Sequence, residues 1–341
     1  MAEITYKDRV KGMFAAFSLG DALGAPHEFY QWNRNRIYTG KLELEPFRMI
    51  DPRFAKGADR EKRQPIGTVT DDTQMTIALL KVILKNGKYN RDDAILLYAA
   101  WVHSKPADVG KNTRYVFANK TIKGYDLRMK KLNEEIAAGT RKVSLANGAL
   151  MRCSPIALLD ENDWLKAAIA DVKLSNPYRQ TVEVNIIYLQ VLRMLLEGTD
   201  LVTVKDFIYE LKPKSTSVKR VITDLITNAD RDISGRDKGL AVHALWVSLR
   251  GLLMDKSYAK TIRWVITQGK GNTGQGDTDT NAAITGALLG SRFGYKKIMK
   301  NKVNSDNWQI LIGAAQNVRE EMKPYVPHNF DTLIRRIFDV L

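Results

Sequence analysis

Two short acidic strings, Thr70-Asp71-Asp72-Thr73 and Gly276-Asp277-Thr278-Asp279-Thr280, carry the densest chemistry in the chain. Each pairs carboxylates with hydroxyls, an oxygen-only donor set that suits a hard cation such as Mg²⁺ or Mn²⁺. They lie far apart in the sequence, yet each joins an irregular stretch to an apolar helical pattern, which places both at helix N-termini. Carboxylates gathered without a cation repel one another and cannot all stay ionised. If the fold unites the strings, a two-metal site is the simplest physical solution. The competing reading is capping. Asp and Thr are ordinary N-cap residues, Asp71 followed by Gln74 resembles a capping box, and Asp279 ahead of Asn281-Ala282-Ala283-Ile284 could be a plain cap. A cap needs one acceptor, whereas each string offers two carboxylates and hydroxyls as well.

The elements that must position these residues are helical. Spacing of three and four recurs among Val10, Met13, Phe14 and Phe17, and from Ile77 through Leu84. Residues 91–103, 162–174, 180–196, 202–211, 216–227, 238–254, 257–268, 281–293, 306–322 and 330–340 read as helices in the same way. Strand-like alternation is confined to residues 36–44, with a hairpin expected around Thr39-Gly40. The expected fold is therefore all-α, a compact orthogonal multi-helix bundle. No linker divides the 341 residues, so one domain over 1–341 is expected, with a lid-like insertion at about 31–68 rich in Pro, Gly and charge. Gly20 and Gly24 read as a helix break ahead of Glu28.

Composition narrows the function classes. The net charge of +15 comes from 53 basic against 38 acidic residues, but the cations occur singly or in pairs. No basic run with interleaved aromatics is present, so a nucleic-acid partner is the lesser reading, and a positive surface would equally steer a diphosphate inward. Zinc is disfavoured, since His27, His103, His243 and His328 fall at no ligand spacing and Cys153 stands alone. That single cysteine, with no apolar leader or span in the sequence, points to a cytoplasmic chain without membrane attachment. Cys153 itself reads as a small buried residue.

Four ordered blocks resemble the ADP-ribosylglycohydrolase family, the group of dinitrogenase reductase-activating glycohydrolases and ADP-ribosylarginine hydrolases. They are Gly12 to Glu28 (Gly-Met-Phe-Ala-Ala-Phe-Ser-Leu-Gly-Asp-Ala-Leu-Gly-Ala-Pro-His-Glu), Thr70 to Thr73, Asn147-Gly148-Ala149-Leu150-Met151-Arg152, and Gly276 to Asn281 with Gly286 to Gly290 following. Together they span residues about 10 to 295. No block is decisive alone, but the order is specific.

The resemblance implies an all-helical metal-dependent hydrolase acting on ADP-ribosyl bonds, with two Mg²⁺ or Mn²⁺ ions held by Thr70, Asp71, Asp72, Asp277, Asp279 and Thr280. Glu28 would complete the metal shell or form a flap near the scissile bond. It further implies substrate contacts from the opening of an apolar helix at Asn147, Gly148, Ala149 and Met151, and from Asn176; Gly274 and Gly276 read either as further close-approach positions for the substrate or as turn residues. Small residues there would let backbone N–H groups approach a diphosphate at the helix N-terminus. Relatives carry a Thr-His-Pro-like segment where this chain reads Leu174-Ser175-Asn176-Pro177, so Asn176 replaces an expected imidazole. Pro106-Ala107-Asp108-Val109-Gly110 looks like the Asp-Ile-Gly segment of arginine-specific relatives. A carboxylate is the natural partner of a planar guanidinium and could pass a proton to the leaving nitrogen. By this reading the catalytic set is Glu28, Asp108 and Asp279; the other reading of Asp108 is a turn aspartate before Gly110. The partners implied are an ADP-ribosylated protein as substrate and ADP-ribose as product, handled by a monomer. The competing functions are hydrolysis of a serine, acetyl-ester or nucleic-acid linkage, and a non-catalytic crystallin-like or ADP-ribose-binding role.

Overall fold

A computed structural model describes residues 3–28, 38–42, 47–48, 63–268 and 276–341. The described residues form fourteen α-helices. They are α1 (Tyr6–Gly24), α2 (Asp71–Asn86), α3 (Arg91–His103), α4 (Lys111–Val116), α5 (Ile122–Ala137), α6 (Trp164–Lys173) and α7 (Arg179–Leu196), then α8 (Leu201–Glu210), α9 (Thr216–Ile226), α10 (Ala241–Leu253), α11 (Tyr258–Thr267), α12 (Thr278–Met299), α13 (Lys302–Gln316) and α14 (Phe330–Val340). The all-helical expectation holds. Among the described residues the one ladder is two residues long on each side, β1 (Phe47–Arg48) antiparallel to β2 (Arg63–Gln64).

Helix α12 is the axis of the bundle. From Thr278 to Ser291 every residue is buried, because α1, α7, α10 and α11 pack around it. Its antiparallel contact with α1 is the most extensive helix pair in the molecule. The seam is built from small residues in steps of four, with Gly12 facing Gly290, Ala16 facing Gly286, Gly20 facing Ala282 and Gly24 facing Thr278. A Cβ added at Gly12, Gly20, Gly24, Gly286 or Gly290 would run into the backbone carbonyl opposite. Residues at i and i+4 share one helix face, so this stripe brings two backbones together at a fixed register. That register carries the end of α1, and hence Glu28, to the start of α12, where Asp277 and Asp279 sit.

Several local expectations are corrected. Gly20 and Gly24 are not a break; α1 runs through both, and their role is close packing. Asn147–Ala149 begins no α-helix but a three-residue 3₁₀ turn, followed by another at Ser154–Leu158. The predicted hairpin at 36–44 lies partly outside the described residues, and its described portion, 38–42, is irregular, with Gly40 at φ 83°. Most of the proposed lid also lies outside them. Helices α4 and α5 carry no counterpart in the sequence reading, since α5 is polar on most faces and buries only Tyr125 and Leu132.

Candidate metal and substrate site

The two acidic strings meet. Thr70 is the N-cap of α2, its hydroxyl accepting from the Asp72 amide at 3.3 Å. At α12 the N-cap is Asp277, whose side chain makes no capping bond. Asp71, Asp72 and Asp279 therefore lie inside their first turns, and the capping reading of Asp71 and Asp279 fails. Thr280 Oγ1 donates to Asp72 Oδ2 at 3.3 Å, which ties one string directly to the other. Thr70, Asp71, Asp72, Asp279 and Thr280 are all buried.

The remaining candidates converge from separate segments. Carboxylate oxygens of Glu28, Asp108 and Asp279 all lie within 4.8 Å of one another, an arrangement able to hold a cation. Asp71 accepts a hydrogen bond from the Gly110 amide, which fixes the Asp108 segment beside the first string. Asp277 Oδ2 accepts from Asn147 Nδ2 at 2.9 Å, which joins the second string to the predicted substrate loop.

Burial dominates the electrostatics. It raises Asp71 to about 7, helped by the charges of Glu28, Asp21 and Asp277. It also lifts Asp72, Asp108 and Asp279 well above the carboxylate range, with neighbouring carboxylates adding to the shift in each case. The site therefore disfavours its own negative charge until a cation enters. Asp72 Oδ1 is buried with no hydrogen-bond partner among the described residues. An orphaned carboxylate oxygen inside an all-oxygen cluster is what a hard cation would satisfy, so the residues present fit such an ion.

Asp21 is a residue the sequence reading missed. Fully buried in α1, it accepts from the Thr70 amide at 3.0 Å, the Thr70 hydroxyl at 2.8 Å, the Thr73 amide at 3.1 Å and the Thr73 hydroxyl at 2.5 Å. Burial raises it to about 6 against the pull of those hydrogen bonds. It anchors the first turn of α2 to α1. Its signal in the sequence was a carboxylate inside an otherwise apolar helix face, a placement costly unless satisfied.

The loop carrying Asn147 and Gly148 is held from beneath. Asn147 donates its amide to the Gly239 carbonyl at 2.9 Å, and Ala241 donates to the Leu145 carbonyl at 3.0 Å. Arg152, wholly buried, pairs with Asp171 through Nε at 2.9 Å and donates from Nη1 to the Gly148 carbonyl at 2.9 Å. Asn176 is buried under the same loop, its Nδ2 directed at the Ser144 and Ala146 carbonyls at 3.1 and 3.3 Å. Met151 and Ala149 are buried, and the Met151 carbonyl accepts from Thr76 at 3.0 Å. Gly276 lies against Ile233, whose Cδ1 would be 2.9 Å from an added Cβ and would have to shift. Gly274 is outside the described residues. Cys153 is buried, its thiol pushed up by desolvation and bonded to the Leu150 carbonyl, as expected for a packing residue.

The chain is similar to known proteins over most of its length. The ADP-ribosylglycohydrolase family model matches residues 2–323. A protein of Acanthamoeba polyphaga mimivirus named as an ADP-ribosyl glycohydrolase is 24% identical over 307 residues, covering 84% of this chain and 87% of its own. The ADP-ribosyl-dinitrogen reductase glycohydrolase of Rhodospirillum rubrum is 24% identical over 311 residues, covering 85% and 87%. A solved structure of an ADP-ribosylglycohydrolase-related protein complex shares the fold at a TM-score of 0.56 and 22% identity, over 91% of this chain and 99% of that one. The chain belongs to the ADP-ribosylglycohydrolase family and is a glycohydrolase of that class. No helix among the described residues is long and apolar enough to cross a membrane.

Proposed function

We propose that the protein removes ADP-ribose from a modified protein side chain, with arginine as the preferred acceptor, using two Mg²⁺ or Mn²⁺ ions. The observation that carries this reading is the convergence of Glu28, Asp108 and Asp279 from three segments within 4.8 Å. Thr70, Asp71, Asp72, Asp277, Asp279 and Thr280 would hold the ions, with Glu28 beside them. Bound divalent ions would supply positive charge for the vicinal ribose hydroxyls and lower the pKa of a water.

The chain's own groups do the rest. Glu28 and Asp279 stabilise the positive charge that develops on the sugar ring in an oxocarbenium-like transition state. Asp108 faces the same centre, where a carboxylate suits a bidentate guanidinium and a neutral guanidine must leave with a proton. Asn147, Gly148, Ala149 and Met151, with Gly274 and Gly276, would form the ADP-ribose contacts, and Asn176, buried under the loop, would hold it in place without touching the ligand. Asn147 reaches Asp277, and the Arg152 and Asn176 bonds fix the loop backbone beside it. The loop is a 3₁₀ turn with Asn147 and Ala149 buried, so a diphosphate there would have no α-helix dipole behind it.

The test is release of free ADP-ribose from arginine-linked and serine-linked peptides, with Mg²⁺, with Mn²⁺ and with chelator. Arginine linkages should be cleaved faster, and chelator should abolish the activity. Asp108→Asn should lose about 100-fold in rate or more while still binding free ADP-ribose. Efficient serine cleavage, or an unimpaired Asp108→Asn enzyme, would overturn the assignment to arginine.

A further inference from the structure

Lys238 places an ammonium group against this carboxylate centre. Its Nζ donates to two atoms of one residue, the Glu28 carbonyl at 3.0 Å and Glu28 Oε1 at 3.1 Å. Both side chains are largely enclosed, exposed by 22% for Lys238 and 13% for Glu28. The lysine is delivered by a fixed backbone. It follows the 3₁₀ turn Gly235–Asp237 and precedes the bridge that pairs Leu240 with Ala146. At Gly239 an added Cβ would lie 3.3 Å from Asp277 Oδ2, so the chain passes alongside the second acidic string. The Asp277 and Asp279 carboxylates also act on the same ammonium.

We propose that Lys238 is a positioning residue that clamps Glu28 at the rim of the metal centre, and that its charge weakens cation binding there as the cost of that order. The two-point hold sets the Glu28 backbone and carboxylate together, whereas a single surface pair would leave the side chain free to rotate. Glu28 closes the 3₁₀ turn Ala25–His27, its N–H donating to the Ala25 carbonyl at 3.4 Å, and the Lys238 bonds fix its carbonyl and carboxylate beyond that turn. A fixed cation near the ligands also opposes an incoming divalent ion by Coulomb repulsion. This inference rests on the metal-dependent reading above.

The experiment compares wild type with Lys238→Met and Lys238→Arg, measuring Mn²⁺ binding to chelator-treated protein by calorimetry, alongside kcat and KM. For Lys238→Met, Mn²⁺ binding should tighten several-fold while kcat falls about tenfold or more with KM little changed. Lys238→Arg should recover much of the kcat. A merely structural role would move both readouts the same way, so weaker Mn²⁺ binding together with lower kcat overturns the proposal. So does a Lys238→Met protein with wild-type kcat and wild-type Mn²⁺ affinity. Failure of the wild type to bind Mn²⁺ at all would instead remove the metal-dependent reading, and the clamp with it.

Discussion

Asp21 in α1 receives both the amide and the hydroxyl of Thr70, at 3.0 and 2.8 Å, so one buried carboxylate sets the first turn of α2. The Thr70 hydroxyl also lies 2.9 Å from Asp72 Oδ2. One hydroxyl carries one proton and can donate to a single acceptor at a time. Asp21 and Asp72 therefore share it, and the placement of Asp72 depends on Asp21.

This gives the first prediction. Asp21→Ala strands the amides and hydroxyls of Thr70 and Thr73 in a buried space, which should lower stability by about 2–4 kcal/mol. Turnover should fall with it, because Asp72 loses its frame. Asp21→Asn keeps the shape and one acceptor oxygen and should sit between the two. Urea unfolding with a rate measurement on the same preparations checks this; an Asp21→Ala protein of wild-type stability would refute it.

The seam between α1 and α12 gives the second. At Gly20 an added methyl meets the Ala282 carbonyl, a backbone group that cannot swing aside. Gly20→Ala should therefore separate the helices, costing about 1–3 kcal/mol, although alanine is the better helix former. The displacement moves Glu28 away from Asp277 and Asp279, so activity should fall more than the stability loss explains. Gly313, with nothing within 4 Å of an added Cβ, is the control, and Gly313→Ala should be neutral or slightly stabilising. Thermal denaturation of both variants checks the contrast.

The third concerns pH in the absence of metal. Burial raises Asp21 to about 6 and Asp71 to about 7, from an ordinary value of 3.8. A carboxyl whose folded pKa is raised binds its proton more tightly in the native state than in the unfolded one. Its stabilising contribution is full below about pH 4 and is lost as pH climbs through 6 to 7. Chelator-treated protein should thus lose Tm between pH 5 and pH 7.5. Saturating Mg²⁺ or Mn²⁺ should reverse the loss at pH 7.5, because it stabilises the ionised cluster. A Tm that rises over this range without metal would contradict the burial argument.

Much of the site was legible because its chemistry is local in sequence. Thr70 to Asp72 and Asp277 to Thr280 announce themselves by carboxylate density at the start of apolar helices. Asp108 and Glu28 were reached through family resemblance, and both fall at the centre. Asp21 escaped because its one signal, a carboxylate in an apolar helix face, does not name the partners, Thr70 and Thr73, that satisfy it. Lys238 escaped for a different reason. A lone lysine in a chain with 53 basic residues carries no signal, and only the fold brings it to Glu28. The short 3₁₀ turn at Asn147 was misread as a helix because its apolar run continues into Leu150 and Met151, and burial of that run serves a turn equally well.

By itself the sequence determined that this chain is helical, that oxygen-rich strings begin two of its helices, and that these suit a hard cation. Those are properties of periodicity and donor type, which depend on neighbours along the chain. The tertiary structure alone decided how the strings meet. The glycine stripe of α1 and α12 sets the register that joins Glu28 to Asp279, and Asp21 locks α2 to α1. Contacts of that kind join residues separated by most of the chain, and their energy exists only once two backbones have come close enough to exclude every side chain between them.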